Sequence, residues 1–360
     1  MELLYKPNAD EALRRWEAFW QGEMLDRPPV IFHALHKPNF EEVPGRGQLL
    51  GWEGDFAQAF EIMDRRLSYG EYPGEGFPAH APCLGPDQIA GFLGCPIVLN
   101  EASGDTSWVE PCVQDWRSKL PLRLDPENRY WQQMLAFCEY LGPRAKGRFL
   151  LGQLDLHGNL DGLGAMRGYE RMCLDLADTP EVVDEAVEEI CALFPEIYDG
   201  VYNAAGMGEV GYTTSWGGLV APGKTTMLQC DFSAVMSPSM FNRWVLPCLE
   251  AETSFLDHSA YHLDGPDALC HVPSLLSLER LHVIQWVIGA GLIDARPITT
   301  WIELYQKFQA AGKACQISSW SLDEIKAVHK QLKPNLVQYI VSVGSVAEAE
   351  AFLQWLMDNS

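Results

Sequence analysis

Apolar positions along this chain switch repeatedly between two spacings. Leu13, Trp16, Phe19 and Trp20 recur at helical intervals within residues 10 to 24, with Arg14 and Arg15 read as outward-facing, which predicts an amphipathic helix. Asp26-Arg27-Pro28-Pro29 ends it, because proline cannot continue a helix. Val30 to Leu35 follows as a short apolar run between breakers, the pattern of a buried strand. The same exchange then repeats. Helical spacing recurs over 52–68, 86–93, 130–141, from 161 past 167, 179–204, 237–252, 272–279, 298–311, 322–332 and 347–357. Thr179 is placed to cap the fifth of these, with Pro180 at its first position. Strand-like runs occupy 96–99, 148–158, 209–214, 226–232, 259–264, 282–287, 314–318 and 336–340.

Strands alternating with helices of about ten residues predict a parallel sheet. No linker-like stretch interrupts the alternation, so residues 1–360 read as a single α/β domain, a (β/α)8 TIM barrel. An open doubly wound sheet is the alternative. No glycine-rich fingerprint follows the first strand, so dinucleotide binding has no support. The loops 37–50 and 70–84 are rich in Gly, Pro and aromatics and are expected to cover a site.

Composition narrows the partners. Apolar residues make up 47% of the chain and the net charge is −23, which argues against nucleic acid or anionic lipid as a ligand. No apolar run is long enough to span a membrane, and no basic segment precedes an apolar one at the N-terminus. The ten cysteines contain no C-x-x-C pair, so they are expected to be reduced core residues of a cytoplasmic protein.

Candidate chemistry collects where barrel strands end. In Ser259-Ala260-Tyr261-His262-Leu263-Asp264-Gly265-Pro266, His262 and Asp264 are two apart and share a strand face. Three readings stay open for them: two ligands of an open zinc site, an acid/base pair, or a backbone-bonded histidine beside a turn-capping aspartate. Other strand ends carry His33 and His36, Asn100 and Glu101, Gln153, Asp155 and His157, Trp216, Gln229 and Asp231, Trp286, and Ser318 to Trp320. Asp231 is a candidate for proton chemistry. Gln153, Asp155, His157, Gln229 and Tyr261 are candidate substrate contacts, and Trp216, Trp286 and Trp320 candidate walls for a ligand.

Several motifs together carry a family resemblance. They are Phe19-Trp20-Gln21-Gly22-Glu23 with Asp26-Arg27-Pro28-Pro29, then Gln229-Cys230-Asp231-Phe232 with Met236-Ser237-Pro238, Phe241 and Leu246-Pro247, then Tyr261-His262-Leu263-Asp264-Gly265, and Ile284-Gln285-Trp286 with Gly289-Ala290-Gly291. In order and spacing the chain resembles the uroporphyrinogen decarboxylase-like superfamily, which includes cobalamin-dependent methyltransferases. The resemblance implies a (β/α)8 barrel acting on a small molecule, most directly a methyl transferase served by a corrinoid protein or folate. It also implies a possible homodimer. Two departures matter. The loop His33 to Glu42 holds no arginine pair, which argues against a porphyrinogen substrate. In the methyltransferase branch a His-x-Cys pair and a later cysteine hold zinc; here His262 matches, Asp264 replaces the cysteine, and no cysteine follows Cys315. The alternatives are a small-carboxylate decarboxylase or lyase, and a non-catalytic binding barrel.

Overall fold

The computed structural model describes residues 1–43, 48–100, 106–289 and 297–360. Glu101, Ala290 and Gly291 of the readings above, with part of the 37–50 loop, lie outside the described residues. The strands are β1 (Val30–Phe32), β2 (Ala79–His80), β3 (Ile97–Asn100), β4 (Thr106–Val109), β5 (Leu150–Leu151), β6 (Tyr212–Thr213), β7 (Ala221–Pro222), β8 (Thr225–Gln229), β9 (His258–Asp264), β10 (Val283–Val287), β11 (Ala314–Ser319) and β12 (Val337–Val341). Six of them form one parallel sheet in the order β1-β12-β11-β10-β9-β8. Helices occupy the crossovers between successive strands from β8 to β12, as parallel pairing requires. β5 pairs in parallel with β2, and Gly152 bridges in parallel to Thr214. Among the described residues these ladders do not join into a closed ring. The architecture shown is therefore an α/β fold around a six-stranded parallel sheet.

Several expected strands are altered. The run at 96–99 is half of an antiparallel hairpin, β3 with β4, and not a member of the main sheet. The strand expected over 148–158 stops at Leu151. Backbone bonds continue through the Gly152 amide to His80 at 2.8 Å and the Gln153 amide to Thr214 at 2.7 Å; past them side chains replace ladder partners, Gln153 Oε1 accepting from the Leu154 amide at 2.9 Å and Gln88 Nε2 donating to the Asp155 carbonyl at 2.8 Å. Residues 207–210 form a helical turn before β6, which folds back antiparallel on β7. β8 ends at Gln229, and a 3-10 turn runs over Asp231–Val235.

The register of the main sheet sorts its side chains into layers. Met227, Ala260, Val283 and Ala314 are aligned partners across β8 to β11, and all four are buried. Two residues further along each strand, on the same face, Gln229, His262, Gln285, Gln316 and Gln338 form a second aligned row. Two residues further again come Asp231 and Asp264. The face thus grades from apolar to amide to carboxylate toward the strands' C-terminal ends.

The N-terminal helix Ala9–Trp20 covers the apolar end. Trp16 and Trp20 belong to the same buried cluster as Met227, Ala260 and Val283, and Trp20 Nε1 donates to the Val220 carbonyl at 2.7 Å. Arg15, expected to face solvent, is buried instead. It pairs with Asp26 at 2.7 Å and with Glu75 at 3.3 Å. Glu75 also takes both terminal nitrogens of Arg27 at 2.6 and 2.8 Å and the Val30 amide at 2.9 Å. Glu75 therefore ties the loop 70–84 into the core around a buried ion cluster.

The cysteines are also corrected. Cys95–Cys112 and Cys191–Cys248 are paired as disulfides, while Cys138, Cys230 and Cys315 are buried thiols. No helix of the described residues is long and apolar enough to cross a membrane.

Candidate functional site

Because Gln229 is the register partner of His262, the residues two positions further on, Asp231 and Asp264, are brought level at the C-terminal ends of β8 and β9. The structure gathers Asp231, His262 and Asp264 so that one ligand-type atom from each lies within 4.8 Å of the others. Asp264 Oδ1 is buried and has no hydrogen-bond partner among the described residues. The Asp231 side chain reaches solvent at the mouth, but the protein packed around it desolvates the carboxyl and raises its pKa; the Asp161, and more weakly the Asp264, carboxylates push the same way against the pull of His157 and His262.

His262 is held on two sides. Its Nδ1 lies 2.5 Å from Gln285 Oε1. The Trp216 ring meets the imidazole edge to face, with centroids 5.1 Å apart and planes at 79°. Gln285 Nε2 donates to Gln316 Oε1, and Gln316 Nε2 donates to the Gly217 carbonyl at 2.9 Å. Gly217 adjoins Trp216, and a Cβ on it would meet Met227 Cε at 2.5 Å. One short loop thus supplies both the ring against His262 and the carbonyl at the far end of its hydrogen-bond chain.

A second polar group adjoins the first through Gln229, whose Nε2 donates to Asp155 Oδ1 at 2.8 Å and also touches His157 Nε2. His157 is buried, with Asp155, Asp87 and Asp161 oxygens at 3.5, 3.7 and 3.9 Å from its ring nitrogens. Burial works against its charge, but these carboxylates outweigh burial and raise its pKa to about 9. Asp161 in turn accepts from the Asp231 and Phe232 amides, each at 2.8 Å. Glu252 is sealed nearby, and burial together with the Asp161 charge pushes its carboxyl up to about 8.

Four of the residues expected at the site stand outside the cluster. Gln153 is fully buried and donates to the Tyr198 carbonyl at 3.1 Å. Tyr261 and Trp286 fall on the other strand face from His262 and Gln285, by the alternation of the pleat. Both are in the core beneath the helices, and Trp286 packs on Trp301 at 5.0 Å. Trp320 is exposed and stands edge to face with His33 at 6.0 Å. His36 stacks on Phe40 at 3.6 Å. Asp231, His262, Asp264, Trp216, Gln229, Asp155 and His157 are therefore the expected residues that form one connected neighbourhood.

Asp87, Asp161, Glu252 and Gln316 belong to this neighbourhood without having been singled out from sequence. A signal for the glutamines existed. Each of Thr225–Gln229, Val283–Val287, Ala314–Ser319 and Val337–Val341 carries a single amide amid apolar or small residues, and such an amide inside a buried strand needs designated partners.

No protein-family model matches the sequence, and no curated protein is detectably similar to it. The fold is similar to that of a solved structure, a methyltransferase from Methanosarcina mazei, with a TM-score of 0.57 at 12% identity, covering 96% of this chain and 98% of that one. Likeness at this identity extends to the fold.

Proposed function

We propose that this chain is a methyltransferase acting on a small molecule, with Asp231, His262 and Asp264 as the ligands of a catalytic zinc ion. The observation that carries the reading is the convergence of one imidazole and two carboxylates at adjacent strand ends. The donor set fits the ion: nitrogen and oxygen ligands are what zinc takes in catalytic sites with an open position, and the orphaned Asp264 Oδ1 gains a partner. The neighbouring fold of a methyltransferase supports the reading. We read the main sheet as completed into a (β/α)8 barrel through β2, β5 and β6, a reading supported by the Glu75 amide bond to the Val30 carbonyl at 2.7 Å and by the Gly152–Thr214 bridge.

Zinc bound there supplies a Lewis acid that stabilises the anionic form of a methyl acceptor. Around it, Trp216 walls the substrate and shields His262 from water. Asp155 and Gln229 offer hydrogen bonds to substrate polar groups, with His157 holding a proton behind them. The methyl group would come from a corrinoid protein or folate presented at the C-terminal ends of the strands, where the Trp216 side chain is exposed.

A second reading uses the same residues for proton transfer in a decarboxylase or lyase. The raised Asp231 carboxyl favours it, since an acid poised nearer neutrality can protonate a carbanion. Metal content by plasma mass spectrometry separates the two. Zinc near one equivalent in the purified full chain, lost in His262→Ala and Asp231→Asn, supports the metal reading. Metal-free protein that also fails to take up added Zn2+ would sink it and leave proton chemistry.

A further inference from the structure

The polarity of the amide chain behind His262 is determined from its far end. A backbone carbonyl can only accept, so the Gln316 nitrogen must face the Gly217 oxygen, at 2.9 Å. That turns Gln316 Oε1 toward Gln285. The Gln285 amide must then present its nitrogen to Gln316 and its oxygen to His262. Flipping either amide would set two acceptors against each other in a buried place, since Gln285 and Gln316 are only 6% and 0% exposed. The atom of His262 that meets Gln285 Oε1, at 2.5 Å, is Nδ1. It must carry the hydrogen.

We propose that Gln285 and Gln316, oriented by the Gly217 carbonyl, are positioning residues that fix a hydrogen on His262 Nδ1, so that the uncharged form of the ring is the Nδ1–H tautomer and Nε2 is the nitrogen left to bind. The assignment stands on hydrogen-bond polarity alone and holds with or without a metal. It deepens the proposed zinc site, on which it rests only for its consequence: a histidine locked in this tautomer has a single nitrogen to give as ligand or base. The geometry also couples the two supports of the ring. The loop of Trp216 and Gly217 touches the imidazole face directly and its Nδ1 through two amides. A shift of that loop therefore reaches His262 by both routes.

The test is long-range proton–nitrogen correlation on the full chain labelled with [15N]histidine, after chelation, with His262 assigned by the signals lost in His262→Gln. Spectra recorded as pH is raised until the ring is uncharged should show a protonated, pyrrole-type Nδ1 and an unprotonated, pyridine-type Nε2; an uncharged ring with its hydrogen on Nε2 overturns the proposal. Gln316→Leu frees the Gln285 amide to rotate, so a mixture of tautomers is expected in a variant whose circular dichroism matches wild type. An unchanged Nδ1–H pattern there overturns the role of Gln316. Gln285→Leu removes the acceptor at Nδ1 and should lose the wild-type pattern; a spectrum identical to wild type overturns the role of Gln285. Removing such an outer partner should also weaken Zn2+ binding by roughly tenfold to a hundredfold. A wild-type Nδ1–H tautomer without any Zn2+ uptake supports the amide chain and overturns the zinc reading alone.

Discussion

Asp161 holds Asp231 by its backbone: the two Asp161 carboxylate oxygens accept from the Asp231 and Phe232 amides, each at 2.8 Å. This pins the 3-10 turn that follows β8 and so fixes where the Asp231 carboxylate stands relative to His262 and Asp264. Asp161→Asn turns one acceptor into a donor and breaks one of the two bonds. A hydrogen bond to a charged group is worth about 1.5–3 kcal/mol, so thermal unfolding should show a loss of roughly that size. Loss of orientation should also weaken Zn2+ binding by about tenfold or more in a calorimetric titration. Unchanged affinity in a folded variant would mean that the turn holds its shape without Asp161.

Glu252 makes stability depend on pH in an identifiable window. Burial and the Asp161 charge raise its folded pKa to about 8 from an unfolded value near 4.5. Between those values the folded chain holds a proton that the unfolded chain has lost. Stability from this group is therefore complete below about pH 4.5, falls as pH rises, and reaches its floor above about pH 8. At about 1.4 kcal/mol for each pKa unit, the total swing is on the order of 5 kcal/mol. Glu252→Gln has no proton to lose. Its melting temperature should match wild type near the acid end of the window and exceed it near the alkaline end. Parallel melting curves for the two proteins across that range would show that Glu252 does not titrate there.

The sequence was most legible where one period ruled a whole segment. Val283–Val287 and Val337–Val341 read as strands because each is an apolar run between breakers, and the helix Pro180–Ala204 was legible from its spacing and its Pro180 start. Legibility failed where a side chain took over a backbone partner, as Gln153 and Gln88 do beyond Leu151. It failed again for Tyr261 and Trp286. Their chemistry suited a site, but each is one position from a site-facing residue, His262 or Gln285, and so lies on the opposite strand face, beneath the helices. His262 and Asp264 were legible as a pair because two-residue spacing needs no tertiary knowledge. The approach of Asp231 depends on the Gln229–His262 pairing, which only the assembled sheet supplies.

Glu75 illustrates the same limit and carries a prediction of its own. It sits in a glycine- and proline-rich loop, yet it is fully buried and receives Arg27, Arg15 and the Val30 amide. Lys6 lies close enough to feel its charge. Glu75→Gln would take away the counter-charge of the buried Arg27 guanidinium and one of the three carboxylates around Arg15. Breaking a buried pair from one side costs about 3–5 kcal/mol, so the midpoint of urea unfolding should fall markedly with little change in slope. Because this cluster lies at the opposite end of the sheet from Asp231 and Asp264, Zn2+ affinity of the folded fraction should be unaffected. A loss of affinity equal to that of His262→Ala would tie the cluster to the site instead.

Asp264 should show the opposite balance, stability gained and metal lost. Its buried Oδ1 has no partner among the described residues, and the Asp231 carboxylate lies within 4.8 Å of the same cluster. Without a cation, two like charges and an unsatisfied oxygen work against folding. Asp264→Asn removes one charge and gives the site a donor for Asp231. In chelated protein it should unfold at the same temperature as wild type or higher, by up to about 1 kcal/mol. Adding Zn2+ should reverse the order. Ligand present at 100 times its dissociation constant stabilises the folded state by about 2.7 kcal/mol, and that increment belongs to wild type because the variant has lost a ligand. The crossing of the two melting temperatures on Zn2+ addition is the signature of a site whose carboxylates are kept for binding at the expense of stability. A variant less stable than wild type in chelator would place Asp264 among the structural residues, as a cap on the turn at Gly265.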